Sequence, residues 1–105
     1  MANYVMVYSG GSSTPETEAE QQAVMAAWMN WYGALGAAVV DGGNPFGPSM
    51  SVTSDGAVSP NAPSDLRGYT IVAADSLDAA TEHAKSCPVL DSGGRVDVYE
   101  TIKIM

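Results

Sequence analysis

The stretch GYTIVAADSLDAATEHAKSCPVLDSGGRVDVYE, residues 68–100, determines the fold that we expect for this protein. It opens with β-branched and aromatic residues at 68–72, which are typical of a strand. The segment 76–87 then places apolar residues at helical spacing and stops at Pro88, which cannot continue a helix. From residue 96 to 104 apolar and polar side chains alternate, as in a strand with one covered face. The stretch therefore predicts a strand-helix-strand unit.

The first third of the chain predicts another strand and a longer helix. Residues 3–8 are β-branched and aromatic and carry apolar side chains on both faces of a strand. Thr14 and Pro15 are suited to the N-cap and first position of the helix that follows, and Gly36 is suited to end it. The expected apolar stripe of this helix consists of Val24, Trp28, Trp31 and Leu35, widened by Met25, Met29 and Tyr32.

Between these two parts the sequence predicts a short buried strand at 37–41 and a hairpin. Residues 50–53 and 57–59 flank a Ser-Asp-Gly turn, and we expect both pieces to join the sheet as its weakest part. With the strand at 66–74, the order becomes β-α-β-β-α-β, a single α+β domain over residues 1–105 with a ferredoxin-like arrangement. Because the strands are apolar on both faces and the helices cover only one, we predict a homodimer that packs sheet against sheet.

The charge and composition exclude several classes of function. The 105 residues carry a net charge of -8, which repels nucleic-acid phosphates and anionic lipid headgroups. We therefore expect no nucleic-acid partner and no membrane partner. The single cysteine cannot form an intramolecular disulfide, and no apolar run is long enough to span a bilayer, so a soluble, cytoplasmic protein is expected.

Several phrases in the C-terminal half resemble the YCII-related family. They are the glycine-tyrosine strand and Ser-Leu-Asp helix start within 68–80, the Cys-Pro stop within 84–88 and the final strand within 93–99. Residues 4–8 and 39–43 fit the family's first strand and the strand after its first helix. The resemblance implies a ferredoxin-like protomer that forms a dimeric α+β barrel, in a protein of unknown biochemical role.

The same resemblance suggests an acid/base pair and shows where this chain departs from the family. Some YCII-like proteins are thought to pair a histidine on the first helix with an aspartate near the next strand. Asp41 occupies a plausible position for the aspartate, but the first helix contains no histidine. Residues 60–65 also stand where many members carry an Asp-Gly-Pro-Phe phrase. The missing histidine argues against a family-type catalytic pair, and the role of the Asp-Gly-Pro-Phe phrase cannot be carried over to this chain.

Three residues remain as catalytic candidates, each with a structural alternative. Asp41 before two glycines is either a pocket carboxylate or a turn residue. His83 is the one histidine, either a group that titrates near neutrality or a solvated partner of its helix end. Glu100 falls on the apolar face of the last strand, where it is either a general base or paired, protonated or displaced by a bulge. A small-molecule enzyme with carboxylate acid/base chemistry thus stands as the alternative to a noncatalytic protein.

The aromatic residues are the candidates for binding a small organic ligand. Tyr8, Trp28, Tyr32 and Tyr69 could line a cleft, although aromatic side chains are also expected in the core and in a dimer interface. Cys87 is interpreted as a packing residue because the negative helix end disfavours a thiolate. One histidine and one cysteine cannot build a zinc site, so we predict no metal and no other cofactor.

Overall fold

The computed structural model describes residues 2–10, 17–62 and 65–104, which form six strands and two α-helices joined by two short 3-10 helices. In chain order, the strands and α-helices are β1 (Ala2–Gly10), α1 (Glu18–Leu35), β2 (Val39–Asp41), β3 (Met50–Val52), β4 (Val58–Pro60), β5 (Leu66–Ala74), α2 (Leu77–Ala84) and β6 (Gly94–Glu100). The 3-10 helices are Gly36–Ala38 and Pro88–Ser92.

The main sheet has four strands in the order β2-β5-β1-β6, and every neighbouring pair is antiparallel. The strands that precede and follow α2 both pair with β1, so that Tyr8 lies opposite Gly68 on one side and Val96 on the other. The predicted α+β class and antiparallel sheet are confirmed. The arrangement is compatible with a ferredoxin-like fold.

Both helices pack on the same face of this sheet. Side chains from β1 and β5 meet the C-terminal half of α1, the apolar side of α2 and Cys87 in one buried core. The indole Nε1 of Trp31 donates to the carbonyl of His83 at 3.0 Å and so ties α1 to α2. The buried members of the core are Tyr4, Met6, Tyr8, Trp31, Leu35, Val72, Ala74, Ala80, Ala84 and Cys87.

The opposite face of the sheet is less well covered. Val5, Val7 and Ile71 alternate with the core residues along β1 and β5 and are only half-buried. Tyr99 on β6 shares this face and is 59% exposed. The helix-free face therefore presents apolar side chains to solvent in the single chain.

A bulge interrupts the pairing of β1 with β5 near one end of the sheet. Tyr8 pairs with Gly68, but Ser9 pairs with Leu66, so Arg67 has no partner on β1. Such an extra residue bends its strand and redirects its side chain. The bulge lies beside the segment that follows β2, since Pro45 forms a bridge with Gly68 and the Phe46 amide donates to the Arg67 carbonyl at 2.8 Å.

The predicted hairpin is present, but its placement in the main sheet is wrong. β3 and β4 form a separate two-stranded sheet with Met50 opposite Pro60 and Val52 opposite Val58. Pro45 and Pro48 precede β3 and Pro60 lies in β4, and prolines at these positions limit continuous pairing with β2 or β5. The hairpin consequently stands apart, with its apolar side chains exposed.

Two other strand predictions need correction. Residues 37 and 38 belong to a 3-10 helix, and the strand at 39–41 is an edge strand whose Val40 is exposed rather than buried. β6 ends at Glu100, so the alternation that continues to residue 104 does not form a strand. Ile102 and Ile104, which follow the end of β6, are 80% and 83% exposed.

The helices are shorter than predicted. α1 begins at Glu18, where the Thr17 hydroxyl accepts from the Glu20 amide at 3.1 Å, whereas the predicted cap at Thr14 and Pro15 lies outside the described residues. Gly36 ends α1 as predicted, with its φ at +56°. α2 runs from the Ser76 cap only to Ala84, and Pro88 starts a 3-10 helix.

The expected stripe of α1 contacts the core only in its C-terminal part. Trp31 and Leu35 are buried and Trp28 and Tyr32 are half-buried. The other predicted stripe residues, Val24 and Met25 in the N-terminal half and Met29 in the C-terminal half, are exposed. Within the described part of the chain, neither α-helix has the length and apolar character needed to cross a membrane.

Candidate small-molecule site

A cavity of about 380 Å³ opens where α1 crosses the end of the sheet that carries the bulge. It is lined by all four aromatic residues that the sequence suggested for ligand binding: Tyr8, Trp28, Tyr32 and Tyr69. They come from β1, α1 and β5, which are distant in sequence and are brought together when the chain folds. The segment 42–45 and Arg67 complete the wall on the β5 side.

The aromatic rings hold one another in place. Trp28 stands at 73° to the ring of Tyr8, with the two ring centroids 5.3 Å apart, and lies 5.9 Å from the ring of Tyr32. Trp28 also meets Trp31 edge to face, at 5.7 Å. Edge-to-face contacts of this kind are favoured by the charge distribution of aromatic rings. The rings of Tyr8, Trp28 and Tyr32 therefore support one another in the wall of the cavity.

A network of three hydroxyl groups fixes the tyrosines of the cavity. Tyr8 Oη donates to Thr70 Oγ1 at 2.6 Å, and Thr70 Oγ1 donates to the Gly42 carbonyl at 3.0 Å. Tyr32 Oη donates to the same carbonyl at 3.0 Å. Burial raises the pKa of Tyr8 well above its usual value, so this phenol keeps the proton that it donates. The network joins β1, α1, β5 and the end of β2.

The segment after β2 is held tightly against β5. Gly43 has a φ of +74°, and a Cβ added there would overlap the carbonyl oxygen of Tyr69. The Gly43 amide donates to Asp41 Oδ1 at 2.8 Å, which stabilises the turn. Phe46 then stacks on the ring of Tyr69, with the ring centroids 5.8 Å apart. Only glycine at position 43 permits this close approach.

The structure does not bring the three catalytic candidates together, and none of them lines the cavity. Asp41 is exposed and accepts from the Gly43 amide, as the turn interpretation predicted. His83 lies half-buried on α2. Glu100 lies opposite Tyr4 on the helix-facing side of the sheet but is exposed, because β6 ends there.

Cys87 is a free thiol in the core and not a surface nucleophile. Its side chain is 1% exposed, and burial raises its pKa to about 11, so the thiol stays protonated at neutral pH. The packing role expected from the sequence is confirmed. In the described ranges, no three His, Cys, Asp or Glu side chains are grouped so that they could hold a metal ion.

Sequence reasoning missed Arg67 and Thr70 as parts of this site. Thr70 looked like an ordinary β-branched strand residue, and its role depends on Tyr8 and Tyr32, which are distant in sequence. Arg67 lines the cavity because of the bulge, which no local pattern indicates. The sequence feature that could have drawn attention to Arg67 is its position directly before the glycine-tyrosine phrase of β5.

The fold and cavity together define a small α+β protein with an aromatic-lined cavity beside an antiparallel sheet. Comparison of the chain with models of known protein families gives no match, and no curated protein is significantly similar to it in sequence.

Proposed function

We propose that this protein is a homodimeric binding protein for a small, planar organic compound, which occupies the cavity between α1 and β5. The observation that supports this most directly is that four aromatic residues from three elements line one cavity. Its volume of about 380 Å³ lies within the range of small-molecule sites, which are typically apolar with a few fixed polar groups.

Binding is favoured over the enzymatic alternative by the chemistry of the lining. No carboxylate and no histidine is among the described residues that line the cavity. Histidine and carboxylates are the groups that most often perform general acid/base catalysis. The hydroxyls of Tyr8 and Tyr32 are already committed to Thr70 and the Gly42 carbonyl, so these two groups serve recognition better than proton transfer.

The homodimer is supported by the surface area of the chain. The single chain exposes 7244 Å², about 1,700 Å² more than a compact monomer of its mass. Its radius of gyration of 15.4 Å also exceeds the roughly 13 Å expected for this length. A typical stable interface buries about 800 Å² on each partner, so the excess is large enough for a second copy to cover.

The apolar surface is distributed in a way that suits an identical partner. The helix-free sheet face carries Tyr99, and the separate hairpin carries Met50, Val52 and Val58, all more than half exposed. An isolated two-stranded hairpin is only marginally stable in water, and packing against another surface stabilises it. We propose a dimeric α+β barrel in which these surfaces meet, as in the YCII-related family that residues 68–100 resemble.

A cytoplasmic location completes the proposal and is supported by the single cysteine, a free thiol. The ligand site is tested with the ¹⁵N-labelled protein and a panel of neutral and charged one- and two-ring compounds. We expect at least one compound to shift the amide resonances of Gly42, Gly43 and Gly68 in a saturable way. Trp28→Leu should abolish the shifts, while Met29→Leu, an exposed residue of the same helix, should preserve them. A panel that leaves these resonances unchanged would contradict the proposal.

A further inference from the structure

We propose that the ligand of the aromatic cavity is a small aromatic monocarboxylate, with its ring against Trp28 and Tyr32 and its carboxylate bound by Arg67. This inference rests on the proposed binding function and adds the charge and the chemical class of the ligand. The presence of one arginine, Arg67, among the residues that line an aromatic cavity supports it.

The bulge is what brings Arg67 to the cavity. Because Tyr8 pairs with Gly68 and Ser9 with Leu66, Arg67 is the extra residue of β5 and departs from the regular alternation of the strand. Its backbone carbonyl is fixed by the Phe46 amide at 2.8 Å. The position of the backbone is thus set by the sheet and by the segment after β2, and Arg67 is among the residues that line the cavity.

The guanidinium of Arg67 is open to an incoming carboxylate. Its Nε lies 3.6 Å from Asp65 Oδ1, and both side chains are more than half exposed. An exposed ion pair at this distance contributes little to stability, so a ligand carboxylate can replace Asp65 at the guanidinium. A carboxylate in the partly enclosed cavity instead accepts two parallel hydrogen bonds from the guanidinium fork, the geometry that arginine favours.

The charges of the molecule make Arg67 selective for a single negative charge. The protein has four basic residues and a net charge of -8. Arg67 is the one basic residue among the described residues that line the cavity; Lys85 and Arg95 lie elsewhere and pair with Glu82 and Asp97. One guanidinium balances a carboxylate, whereas a phosphate dianion would bring a second charge into an acidic molecule.

The hydroxyl network adds a preference for a ligand that donates a hydrogen bond from its ring. Tyr8, Thr70 and Tyr32 all use their hydroxyl protons within the network. The Tyr32 oxygen retains lone pairs that accept, so a ring N–H or O–H complements it better than a carbonyl. We therefore expect hydroxyaryl or indole carboxylates to bind better than simple aryl carboxylates.

Three indole probes separate these contributions, with binding measured by calorimetry and by the shifts of the Gly42 and Gly68 amides. Indole-3-acetate carries both the charge and the N–H. Indole-3-acetamide has the same shape without the charge, and 1-methylindole-3-acetate has the charge without the N–H. We expect the acetate to bind about 10 to 100 times more tightly than the acetamide, as for a charged hydrogen-bonded pair. The methylated acid should bind several-fold more weakly than the acetate.

Arg67→Gln should remove the preference for the acid over the amide. Arg67→Lys should keep part of it, since a lysine retains the charge but lacks the planar fork. Arg95→Gln, a change at the only other arginine and outside the cavity, should leave the preference unchanged. Circular dichroism of each variant checks that the fold is intact.

The outcomes distinguish the inference from the function on which it rests. Equal affinity for the acid and the amide, or an unchanged preference in Arg67→Gln, overturns the inference while the cavity remains a binding site. If no acid binds but neutral planar compounds still shift the Gly42 and Gly68 amides, the inference also falls alone. If neither acids nor neutral compounds shift them, the proposed function falls as well.

Discussion

Thr70 is the residue on which the interior of the site depends. It is fully buried, accepts from Tyr8 and donates to the Gly42 carbonyl, so one hydroxyl joins three elements. A buried hydroxyl without partners is costly, but here each of its hydrogen-bonding groups has a partner. The polar network consequently adds specificity to the core without leaving an unsatisfied group.

Thr70→Val should test this role, because valine keeps the shape of threonine and removes only the hydroxyl. The change leaves the Tyr8 hydroxyl without its acceptor in the core, which should lower the free energy of unfolding by about 1–3 kcal/mol. Urea denaturation measures the loss. Thr81→Val is the matched control, since the Thr81 hydroxyl donates to the Leu77 carbonyl at the surface. Equal and small losses in both variants would contradict the assigned role.

Gly43 is the second residue on which the structure of the site depends, because a Cβ atom at this position would overlap the backbone of Tyr69. Gly43→Ala should both strain a backbone at positive φ and force the segment after β2 away from Tyr69. We expect a loss of more than about 2 kcal/mol in stability and weaker ligand binding. Gly56→Ala is the control, because Gly56 also has positive φ but faces open space. A loss in Gly43→Ala no larger than that in the control would show that the contact with Tyr69 is unimportant.

Cys87 should make the stability of the protein fall at alkaline pH. Its folded pKa of about 11 lies above the ordinary value of 9.0, so the folded state holds the thiol proton more tightly than the unfolded state. The contribution is complete below about pH 9 and is lost as the pH rises towards 11. The pKa of Tyr8 is also raised, from 10.0, so Tyr8 adds a further loss of stability that begins about one pH unit above that of Cys87.

Urea denaturation between pH 8 and pH 10.5 measures this decline. The free energy of unfolding of Cys87→Ala should fall less steeply above pH 9 than that of the wild type, whatever the cost of the lost side chain at pH 8. Parallel curves for the two proteins would exclude Cys87 as the source.

Among the elements, α1 is divided into two functionally different halves. Its C-terminal half carries Trp28, Trp31 and Tyr32 into the core and the cavity, whereas the apolar residues of its N-terminal half, Val24 and Met25, are exposed. An 18-residue helix is about 27 Å long, and only part of that length lies against the core. The sequence showed the stripe, but its period carries no information about which turns meet the core.

The two helix caps should therefore have different effects. Ser76→Ala removes the acceptor of the Ala79 amide in a helix whose Ala80 and Ala84 are buried, and should lower global stability by about 1 kcal/mol. Thr17→Ala weakens an exposed first turn that can unwind alone, so its effect on urea denaturation should be smaller. Hydrogen exchange should show the loss of protection confined to the start of α1. A larger global loss in Thr17→Ala would contradict this division of the helix.

The end of β6 illustrates why strand limits escape sequence reasoning. The alternation of apolar and polar residues continues to Ile104, but a strand needs a neighbour. β6 pairs with β1. Glu100 of β6 lies opposite Tyr4, and β1 begins two residues before Tyr4, at Ala2. Thr101 makes a last pair of bonds to the Asn3 carbonyl, at 2.9 Å from the amide and 2.8 Å from the hydroxyl. The limit of the strand is set by another part of the chain.

At the scale of the whole molecule, the class and the order of the elements were predictable because they follow from local periodicity and from glycine and proline positions. The four aromatic residues were also identifiable, since large aromatic side chains stand out in a short chain. Arg67 and Thr70 were not, because a bulge and a three-way hydrogen bond arise only when distant strands come together.

The proposed dimer should be sensitive to substitutions on the exposed apolar surfaces. Light scattering should give twice the mass of the chain for the wild type at micromolar concentration. Tyr99→Lys or Val52→Lys should shift the mass towards that of the monomer, because a charge in an apolar interface is not compensated. Met25→Lys, an exposed apolar position on α1, should leave the mass unchanged. A monomeric wild type would contradict the proposed dimer but would not affect the proposal for the cavity.

The bulge between β1 and β5 has a consequence for how recognition could change during evolution. A single inserted residue adds a side chain at the rim without altering the pairing from Tyr8 towards Tyr4. Removing that residue would restore regular pairing and remove Arg67, the proposed carboxylate-binding residue, in one step. The anion affinity that we propose for this scaffold can therefore be gained or lost by the insertion or deletion of one codon, while the hydrophobic core stays as it is.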